Sequence, residues 1–415
     1  MRTATRVNTY LDVSCAGDRV HGPCLLLYLS NSVYLVCSMS DRNVLVYTDR
    51  VLPGSATFIR NQSEHLPRYR PIYAGSRRED GLDVPHDRRV VLNSGGTIGR
   101  LREIGFKLTS FAPGFIRDLR DKEPALIHAH FGPDGLMALP IAKALDVPLL
   151  VTFHGYDATM KDEYARESFY RHRQYIKHRD RLIHDAAGFI AVSDFIKGKI
   201  LDQGYPEEKI DRHYIGIDTS LFSPDLEVER DPIILFVGRL VQKKGLPYLI
   251  QAMRKVENRT DSARLVVMGD GDERKDMEAM AHEMLNRVEF LGFCSQERVF
   301  QYMNRASVLC VPSVTADSGD SEGLPMVVLE GQAMGMPVVA SDHAGIGEAI
   351  VDGETGLLAE EQDVDVLADH LTALISNPEK ARRLGQAGRE RVVEHFNVVK
   401  QSSKLADLYD SYVNV

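Results

Sequence analysis

The sequence is poor in the features that mark several classes of protein. It has five cysteines in 415 residues and no C-x-x-C pair, so it offers neither a disulfide framework nor a zinc site and favours a reducing compartment. Its formal charge of −9 argues against a general nucleic-acid-binding protein. It shows no internal repeat and no low-complexity tract. Hydrophobic residues at 44% and charged residues at 26% are ordinary for a soluble globular protein, and the length predicts at least two domains.

Long hydrophobic runs are also scarce, and the only candidate membrane segment lies near the start of the chain. It spans 16 residues, 23–38, and is interrupted by the polar residues 30–32, whereas a spanning helix needs about 20 apolar residues. Acidic residues before it and the lack of an A-x-A cleavage site do not fit a signal peptide. Because the composition changes at Met39, we expect residues 1–41 to be a poorly ordered N-terminal extension of a cytoplasmic protein.

Charge is distributed unevenly along the chain. Residues 42–215 hold 27 Lys and Arg against 23 Asp and Glu, whereas residues 216–415 hold 20 against 33. A mildly basic first half in an acidic protein favours contact with an anionic membrane surface or with a phosphorylated partner. Random drift of surface charge is the plain alternative, and these counts do not separate the two.

From residue 42 onward, short β-branched runs alternate with longer helical patterns. The runs are apolar at nearly every position, as expected when helices cover both faces of a parallel sheet. The pattern occurs twice, which predicts two doubly wound, Rossmann-like α/β domains facing a central cleft, with ligands at the carboxyl ends of the strands. The predicted strands are 43–47, 126–129, 149–153, 189–192, 233–237, 265–268, 308–311 and 338–340.

The break between the two units lies in residues 214–232. This segment contains two prolines, a glycine and several acids, a composition typical of a linker. We therefore place a first domain at 42–215 and a second at 216–395. Residues 396–415 contain an amphipathic pattern, and we expect a final helix there that packs back across the domain junction.

Two glutamates near a helix start form the most informative pattern. Glu322 lies in a glycine-containing loop, and Glu330 follows eight residues later on the predicted helix. Pro325 fits the first helical position, so the loop before it presents free backbone N–H groups and the positive end of a helix dipole to an anion. Carboxylates accept hydrogen bonds from hydroxyls. The pattern indicates a clamp for a sugar nucleotide, although two glutamates at this spacing are common by themselves.

A second group of polar side chains follows the strand at 233–237. Arg239 and Lys244 lie in a glycine-bounded loop at the carboxyl end of that strand. An Arg as a bidentate donor and a Lys as a point charge suit a diphosphate and would balance the charge of a leaving group. The alternative is ordinary solvated surface charge.

Histidines follow two predicted strands of the first half. Imidazoles at the carboxyl ends of strands face the expected cleft, where they can donate to a sugar hydroxyl or move a proton. We interpret His128 as a buried structural histidine and leave His130 open. We select His154, because Gly155 next to it clears space for a ligand.

These residues together resemble the retaining GT-B glycosyltransferases of family 4, the glycosyl transferases group 1 type. The resemblance rests on E-x7-E at Glu322 and Glu330, on GRLVQKKG at 238–245 and on TFHGYD at 152–157. Residues 214–222, YIGIDTSLF, resemble that family's interdomain segment. The resemblance covers the chain from about residue 42 to the end. Within the family, residues 312–325 and 52–59 look most like the enzymes that extend bacterial exopolysaccharide repeat units.

The resemblance implies a role for each of these side chains. Glu330 would bind the ribose, Glu322 the hydroxyls of the donor sugar, and His154 the sugar near its reacting carbon. Arg239 and Lys244 would hold the diphosphate.

The resemblance also assigns backbone positions. Gly323, Leu324 and Pro325 would assist at the diphosphate, together with Gly238 in the preceding loop. The nucleotide base would lie beside residues 291–294, next to Gly292.

The implied acceptor is a glycan, with a polyprenyl-linked saccharide at the inner membrane face as the expected form. The loop at 53–55 would face it. Ala56 departs from the family pattern, because the exopolysaccharide enzymes more often carry Glu in an S-E-T-F-I loop.

The implied reaction keeps the anomeric configuration of the donor hexose. A double displacement needs a carboxylate on the far side of the anomeric carbon, and Asp157, the nearest candidate, is better interpreted as a helix-capping acid. We therefore favour front-face attack, with no metal and no cofactor beyond the nucleotide sugar, since Arg239, Lys244 and a helix dipole neutralise the diphosphate. Asp317, Asp320 and Glu322 imitate a metal-binding cluster, but their Ser/Gly-rich loop is more typical of a lid over the donor.

Three rival functions stay open from the residues alone. A dinucleotide-dependent oxidoreductase is disfavoured because GDGDER at 269–274 lacks the third glycine of G-x-G-x-x-G. A sugar-nucleotide epimerase or hydrolase could share the same architecture. A non-catalytic subunit that binds nucleotide sugar is the third.

Overall fold

A computed structural model describes residues 42–79 and 81–413, and before residue 42 only the backbone of four short strands. These strands form two antiparallel pairs, β1 with β2 and β3 with β4. The predicted extension over residues 1–41 otherwise lies outside the described residues. The four strands are β1 (Ser14–Cys15), β2 (Asp18–Arg19), β3 (Cys24–Leu29) and β4 (Ser32–Cys37).

The first large sheet is parallel throughout. Its order is β12-β11-β10-β9-β5-β7-β6, with β8 also paired to β7. The chain therefore runs to opposite sides of β5, and the order reverses between β5 and β9. The strands are β5 (Arg42–Tyr47), β6 (Arg50–Val51), β7 (Tyr69–Arg78), β8 (Arg89–Asn93), β9 (Pro124–His130), β10 (Leu149–Phe153), β11 (Gly188–Ala191) and β12 (Ile210–Arg212).

The second large sheet is also parallel, with the order β15-β14-β13-β16-β17-β18. This is the strand order of a Rossmann fold, and it reverses between β13 and β16. The strands are β13 (Asp231–Val237), β14 (Arg264–Met268), β15 (Val288–Gly292), β16 (Ala306–Val311), β17 (Val338–Ser341) and β18 (Leu357–Ala359).

Helices cover both faces of each sheet, and the central strands are correspondingly apolar. Every residue of β10 is buried, as expected for a strand between two helical layers. Within the described residues, no helix is both long and apolar enough to cross a bilayer. The helices are α1 (Thr57–Glu64), α2 (Gly96–Thr109), α3 (Pro113–Arg120), α4 (Gly132–Leu145), α5 (Tyr156–Thr159), α6 (Asp162–Glu167), α7 (Tyr170–Asp185), α8 (Asp194–Asp202), α9 (Leu246–Arg259), α10 (Arg274–Met284), α11 (Gln296–Arg305), α12 (Met326–Ala333), α13 (Ile346–Ala349), α14 (Val364–Ser376), α15 (Pro378–His395) and α16 (Val398–Val413).

The chain passes between the two sheets twice, and the two passages are hydrogen-bonded to each other. The N–H of Ile217 donates to Phe396 O at 2.7 Å, and the N–H of Val398 donates to Ile217 O at 2.9 Å. A Cβ on Gly216 would lie 2.4 Å from the Cα of Val398, so a side chain there would push the passages apart.

After the second passage, α16 lies against the first domain. The hydroxyl of Tyr409 is 2.6 Å from Nδ1 of His128 on β9. Arg68 pairs with Asp407 at 2.6 Å and with Asp410 at 3.0 Å. Helix α16 thus completes the core of the first domain, although it follows the second domain in sequence.

Candidate active site

The loops of the second domain that face the cleft follow β13 and β16, the strands at which its order reverses. Ligands of doubly wound sheets bind at such a reversal. Gly245 ends the first loop in the left-handed region (φ +65°), and a Cβ on it would lie 1.8 Å from the carbonyl oxygen of Pro312. Glycine permits this approach, which holds the loop at 238–245 against residues 312–325.

A buried ion pair joins these two loops. Nζ of Lys244 lies 2.6 Å from Oε1 of Glu322, and the hydroxyl of Ser313 donates to the same oxygen at 3.2 Å. Burial by itself would raise the pKa of Glu322, but the charges of Lys244 and Lys243 lower it to about 2. Glu322 is therefore ionised at neutral pH, and Lys244 is held beside it.

Arg239 has different surroundings from Lys244, although both lie on one loop. It is exposed, and its side chain makes no hydrogen bond or ion pair with the part of the chain that the structure describes. Its guanidinium is therefore available for bidentate contact with phosphate oxygens. Gly238 before it lies beside the Lys244 side chain, whose carbons would be 3.6 Å from a Cβ at that position.

Helix α12 begins one residue later than the sequence predicts. Met326 is its first residue, and Pro325 is the N-cap with an extended backbone (φ −71°, ψ 116°). The prediction that Pro325 occupies the first helical position is therefore wrong by one residue, because its ψ is not helical. Gly323 and Leu324 precede the cap in a buried loop. The first N–H groups of α12 have no partner within the helix and favour an anion.

Glu330 lies just over one turn into α12 and is partly buried. Burial raises the pKa of its carboxyl to about 7, while the charge of Lys244 opposes that shift. No described residue donates a hydrogen bond to this carboxylate. The two glutamates thus differ, since Glu322 is fixed by a cation and Glu330 is open to hydroxyl donors.

In the first domain, the loop after β10 is fixed by Asp157. Its Oδ1 accepts hydrogen bonds from the N–H groups of His154 and Gly155, each at 3.0 Å, and its Oδ2 accepts one from Gly132 at 3.1 Å. Burial raises the pKa of Asp157 to about 6, and these N–H groups oppose the rise. The carboxylate is occupied in holding the loop that carries His154.

The imidazole of His154 is enclosed by aromatic rings. Its Nε2 lies 3.0 Å from Nδ1 of His130, and its ring centroid is 4.7 Å from that of Phe131 and 5.0 Å from that of Phe58. Burial, followed by the charge of His128, lowers the pKa of His154 to about 3, so the ring is neutral. Its Nδ1 is buried without a hydrogen-bond partner, which leaves one polar atom for a ligand.

The loops of the two domains touch through their backbones. A Cβ on Gly323 would lie 1.9 Å from the carbonyl oxygen of His154, and a Cβ on Gly155 would lie 3.1 Å from that of Ser321. The structure therefore brings His154 and Glu322, separated by more than 160 residues of sequence, to opposite sides of one narrow contact.

The acidic loop at 317–321 is fastened to the first domain. Lys161 donates from its backbone N–H to Ser318 O at 2.9 Å and from Nζ to Asp317 O at 3.0 Å. Asp320 pairs with Lys243 at 2.9 Å. Among residues 42–79 and 81–413, no three His, Cys, Asp or Glu side chains are grouped in a way that could hold a metal ion.

Gly292 ends β15, at the outer edge of the second sheet. It has φ +66°, and its carbonyl accepts a hydrogen bond from Gly269 at 2.8 Å. A Cβ at Gly292 would lie 2.9 Å from the guanidinium of Arg274. The structure therefore places Gly292 two strands from β13, and its predicted role beside a nucleotide base stays a prediction.

Sequence reasoning missed Phe58, Phe131 and Lys243. Phe131 directly follows β9 and adopts a positive φ of +74°, which is unusual for a side chain of this size and occurs at functional sites. Its place between HAH and Gly132 was the only signal in the sequence. Nothing local to Phe58 indicates that α1 carries it to His154.

Two parallel α/β domains, with loops at the carboxyl ends of their strands in contact across the cleft, define the GT-B fold of glycosyltransferases. Residues 219–391 match the family model described as glycosyl transferases group 1, and residues 54–221 match that of glycosyltransferase family 4. The chain belongs to this family of glycosyltransferases. The predicted family and fold class are thereby confirmed, and the oxidoreductase interpretation is set aside.

Individual relatives agree with this assignment. The amylovoran biosynthesis glycosyltransferase AmsK of Erwinia amylovora is 31% identical over 287 residues, 68% of this chain and 69% of AmsK. A GDP-mannose-dependent phosphatidylinositol monomannoside mannosyltransferase of Mycobacterium tuberculosis is 29% identical over 229 residues, 52% of this chain and 60% of that enzyme. The structure of Anabaena HepE in complex with UDP matches with a TM-score of 0.70 and 20% identity, over 89% of this chain and 100% of HepE. The chain is thus related to glycosyltransferases of exopolysaccharide biosynthesis.

Proposed function

We propose that this glycosyltransferase moves a hexose from a nucleoside diphosphate sugar to a glycan acceptor, with retention of the anomeric configuration. The observation that carries the proposal is the contact between the His154 loop and the Glu322 loop, beside the start of α12. This contact would place the neutral imidazole of His154 and the ionised carboxylate of Glu322 around one sugar, next to the N-terminus of α12, which favours phosphate.

The donor side is the better defined half of the proposal. Ribose hydroxyls would donate to Glu330, and the diphosphate would lie between Arg239 and the first N–H groups of α12. Lys244 would divide its charge between Glu322 and the diphosphate. Both UDP and GDP are candidates, because HepE is described with UDP and the mycobacterial relative is named as GDP-mannose-dependent.

For the chemistry, we infer front-face attack by the acceptor hydroxyl. The new bond forms at the anomeric carbon on the face that the diphosphate leaves, and a diphosphate oxygen takes the hydroxyl proton. Asp157 is an unsuitable nucleophile because three backbone N–H groups occupy it. Positioning and stabilisation of the leaving diphosphate by Arg239 and α12 would supply the catalysis without a metal.

The acceptor would be a growing surface or extracellular polysaccharide on a polyprenyl carrier at the inner membrane face, consistent with the kinship to AmsK and the basic first half of the chain. The loop at 53–55 lies at the start of α1, which also carries Phe58 to His154. It is therefore the part of the first domain proposed to meet the acceptor.

Calorimetry with UDP and GDP, without added metal, tests the donor clamp. We expect one nucleotide to bind and Glu330→Ala to weaken it, while the exposed control Glu390→Ala leaves it unchanged. NMR of the reaction with the matching nucleotide hexoses then distinguishes the activities. Transfer with retention supports the proposal. Release of the sugar to water indicates a hydrolase, inversion of a ring carbon an epimerase, and binding without turnover a non-catalytic subunit.

A further inference from the structure

Helix α2 is apolar on the side that faces away from the protein. Its buried residues, Gly99, Glu103 and Phe106, form one face. At 100° per residue, Leu101, Ile104 and Leu108 lie on the opposite face, and their side chains are 62%, 46% and 65% exposed. An ordinary surface helix has the reverse arrangement.

Exposed large apolar residues are concentrated in this part of the first domain. Of the thirteen large hydrophobic residues that are exposed in the described part of the chain, eight lie between Ile98 and Tyr170. Ile98, in the first turn of α2, and Phe111, two residues after its end, are 68% and 72% exposed. Single exposed apolar residues are normal, whereas a contiguous row indicates an interaction surface. We call Ile98, Leu101, Ile104, Leu108 and Phe111 the outer row.

The exposed charges on α2 are all positive. Arg100 and Arg102 are exposed and make no ion pair with the described residues. The only acid of α2, Glu103, is buried, and its carboxylate accepts hydrogen bonds from Asn93 at 2.7 Å and from Lys107 at 2.6 Å. Apolar side chains flanked by uncompensated arginines are the composition of a helix that lies in the surface of an anionic membrane.

A groove continues the apolar surface behind the outer row. It has a volume of about 170 Å³ and lies between α2, α4 and α7. Leu108, Leu136 and Met137 contribute apolar walls, and Arg181 contributes a cation. Arg171 also lines the groove, but it is paired with Asp134 at 3.1 Å. The same combination of apolar surface and positive charge therefore extends beyond α2.

This surface lies at the edge of the first domain where its sheet order reverses. Nζ of Lys107, at the end of α2, is 3.0 Å from the carboxylate of Asp49, two residues after β5. The N–H of Asp49 in turn donates to Asp134 at the start of α4, at 2.9 Å. A membrane bound to the outer row would thus lie beside the cleft edge of the first domain.

We propose that the outer row inserts into the headgroup region of an anionic bilayer, with Arg100 and Arg102 contacting lipid phosphates. A second copy of the chain is a poorer occupant, because a twofold contact through α2 would bring these unpaired arginines close to their own copies. The biological role of this membrane contact, which is access to a lipid-linked acceptor, rests on the proposed function. Bilayer binding itself requires neither donor nor acceptor, so it can be measured separately.

Cosedimentation of the full chain with vesicles tests the inference. We expect binding to vesicles that contain phosphatidylglycerol, little binding to pure phosphatidylcholine, and loss of binding at high salt. Leu101→Gln with Ile104→Gln should weaken binding more than tenfold, and Arg100→Gln with Arg102→Gln roughly 30-fold.

Matched variants on the second domain serve as controls. Leu226→Gln replaces a 90% exposed apolar residue, and Arg382→Gln with Arg383→Gln removes two exposed arginines; both should leave vesicle binding unchanged. Thermal unfolding checks that every variant is folded. Absence of vesicle binding, or equal loss in the control variants, would overturn the inference. So would self-association in sedimentation velocity that Leu101→Gln with Ile104→Gln abolishes. Nucleotide calorimetry tests the proposed function separately from these results.

Discussion

Lys244 and Glu322 form a buried ion pair, with Nζ 2.6 Å from Oε1. Lys244→Met would leave the carboxylate buried without its cation, and we expect the free energy of unfolding to fall by about 3 kcal/mol. Adding Glu322→Gln should recover most of that loss, because both charges are then gone. Urea unfolding of the two variants measures this. Lys255→Met, which breaks the exposed pair with Asp365, is the control and should cost less than about 1 kcal/mol. An equal loss in both lysine variants would contradict the prediction.

Gly323 should tolerate no side chain, because its Cβ would lie 1.9 Å from His154 O. Gly323→Ala must move one loop, so we expect transfer activity to fall by at least tenfold, with lower thermal stability. Gly114→Ala on α3 is the matched control, since nothing lies within 4 Å of a Cβ there. Full activity of Gly323→Ala would show that the backbone contact is not needed.

The stability of the protein should depend on the ionisation of Glu330. Its pKa in the folded protein, about 7, lies above the ordinary value of 4.5, so the folded state holds the proton more tightly than the unfolded state. The stability linked to this proton is complete below pH 4.5 and is lost as the pH rises towards 7. Urea unfolding between pH 5 and 8 should therefore show a smaller decline for Glu330→Gln than for the wild type. Parallel curves would contradict the raised pKa.

His154 should contribute to transfer as a neutral ring. We expect His154→Ala to lower kcat/KM about 100-fold, the usual effect of removing one positioned donor, whereas the exposed His86→Ala leaves it unchanged. Because the pKa of His154 is about 3, the pH profile of the wild type should show no inflection from this ring near pH 6.5. An inflection there that disappears in His154→Ala would show that the ring titrates during turnover.

The central strands could be predicted from sequence because both of their faces are buried. The strand at 149–153 is observed with the same bounds as β10. Strand β7 was missed, although it has ten residues, because Pro71 and Gly75 interrupt the apolar run that identifies a strand. β15 and β18 were missed for another reason. They are edge strands with a single neighbour; β15 includes the exposed Glu289, and β18 has only three residues.

The candidate site also contains some features that the sequence predicts and others that it does not. Glu322 and Glu330 were recognisable because one loop and one helix carry both, so their spacing follows from local geometry. Two features of the site could not be recognised in the sequence: the Lys244–Glu322 pair, and the contacts of His154 with Phe58, Phe131 and His130. Both depend on which strand ends the parallel sheets bring together. The roles given to the predicted site residues stay predictions that the variants above test.

The position of α16 has a consequence for how the protein is made. Leu405, Ala406 and Tyr409 belong to the apolar core that lies on one face of the first sheet, yet the ribosome releases them only after the entire second domain. Until then the nascent first domain exposes the face that α16 later covers, and Nδ1 of His128 lacks its Tyr409 partner. The first domain can therefore complete its fold only late in synthesis. A fragment that ends near residue 215 would lack part of its core and would not be an autonomous folding unit.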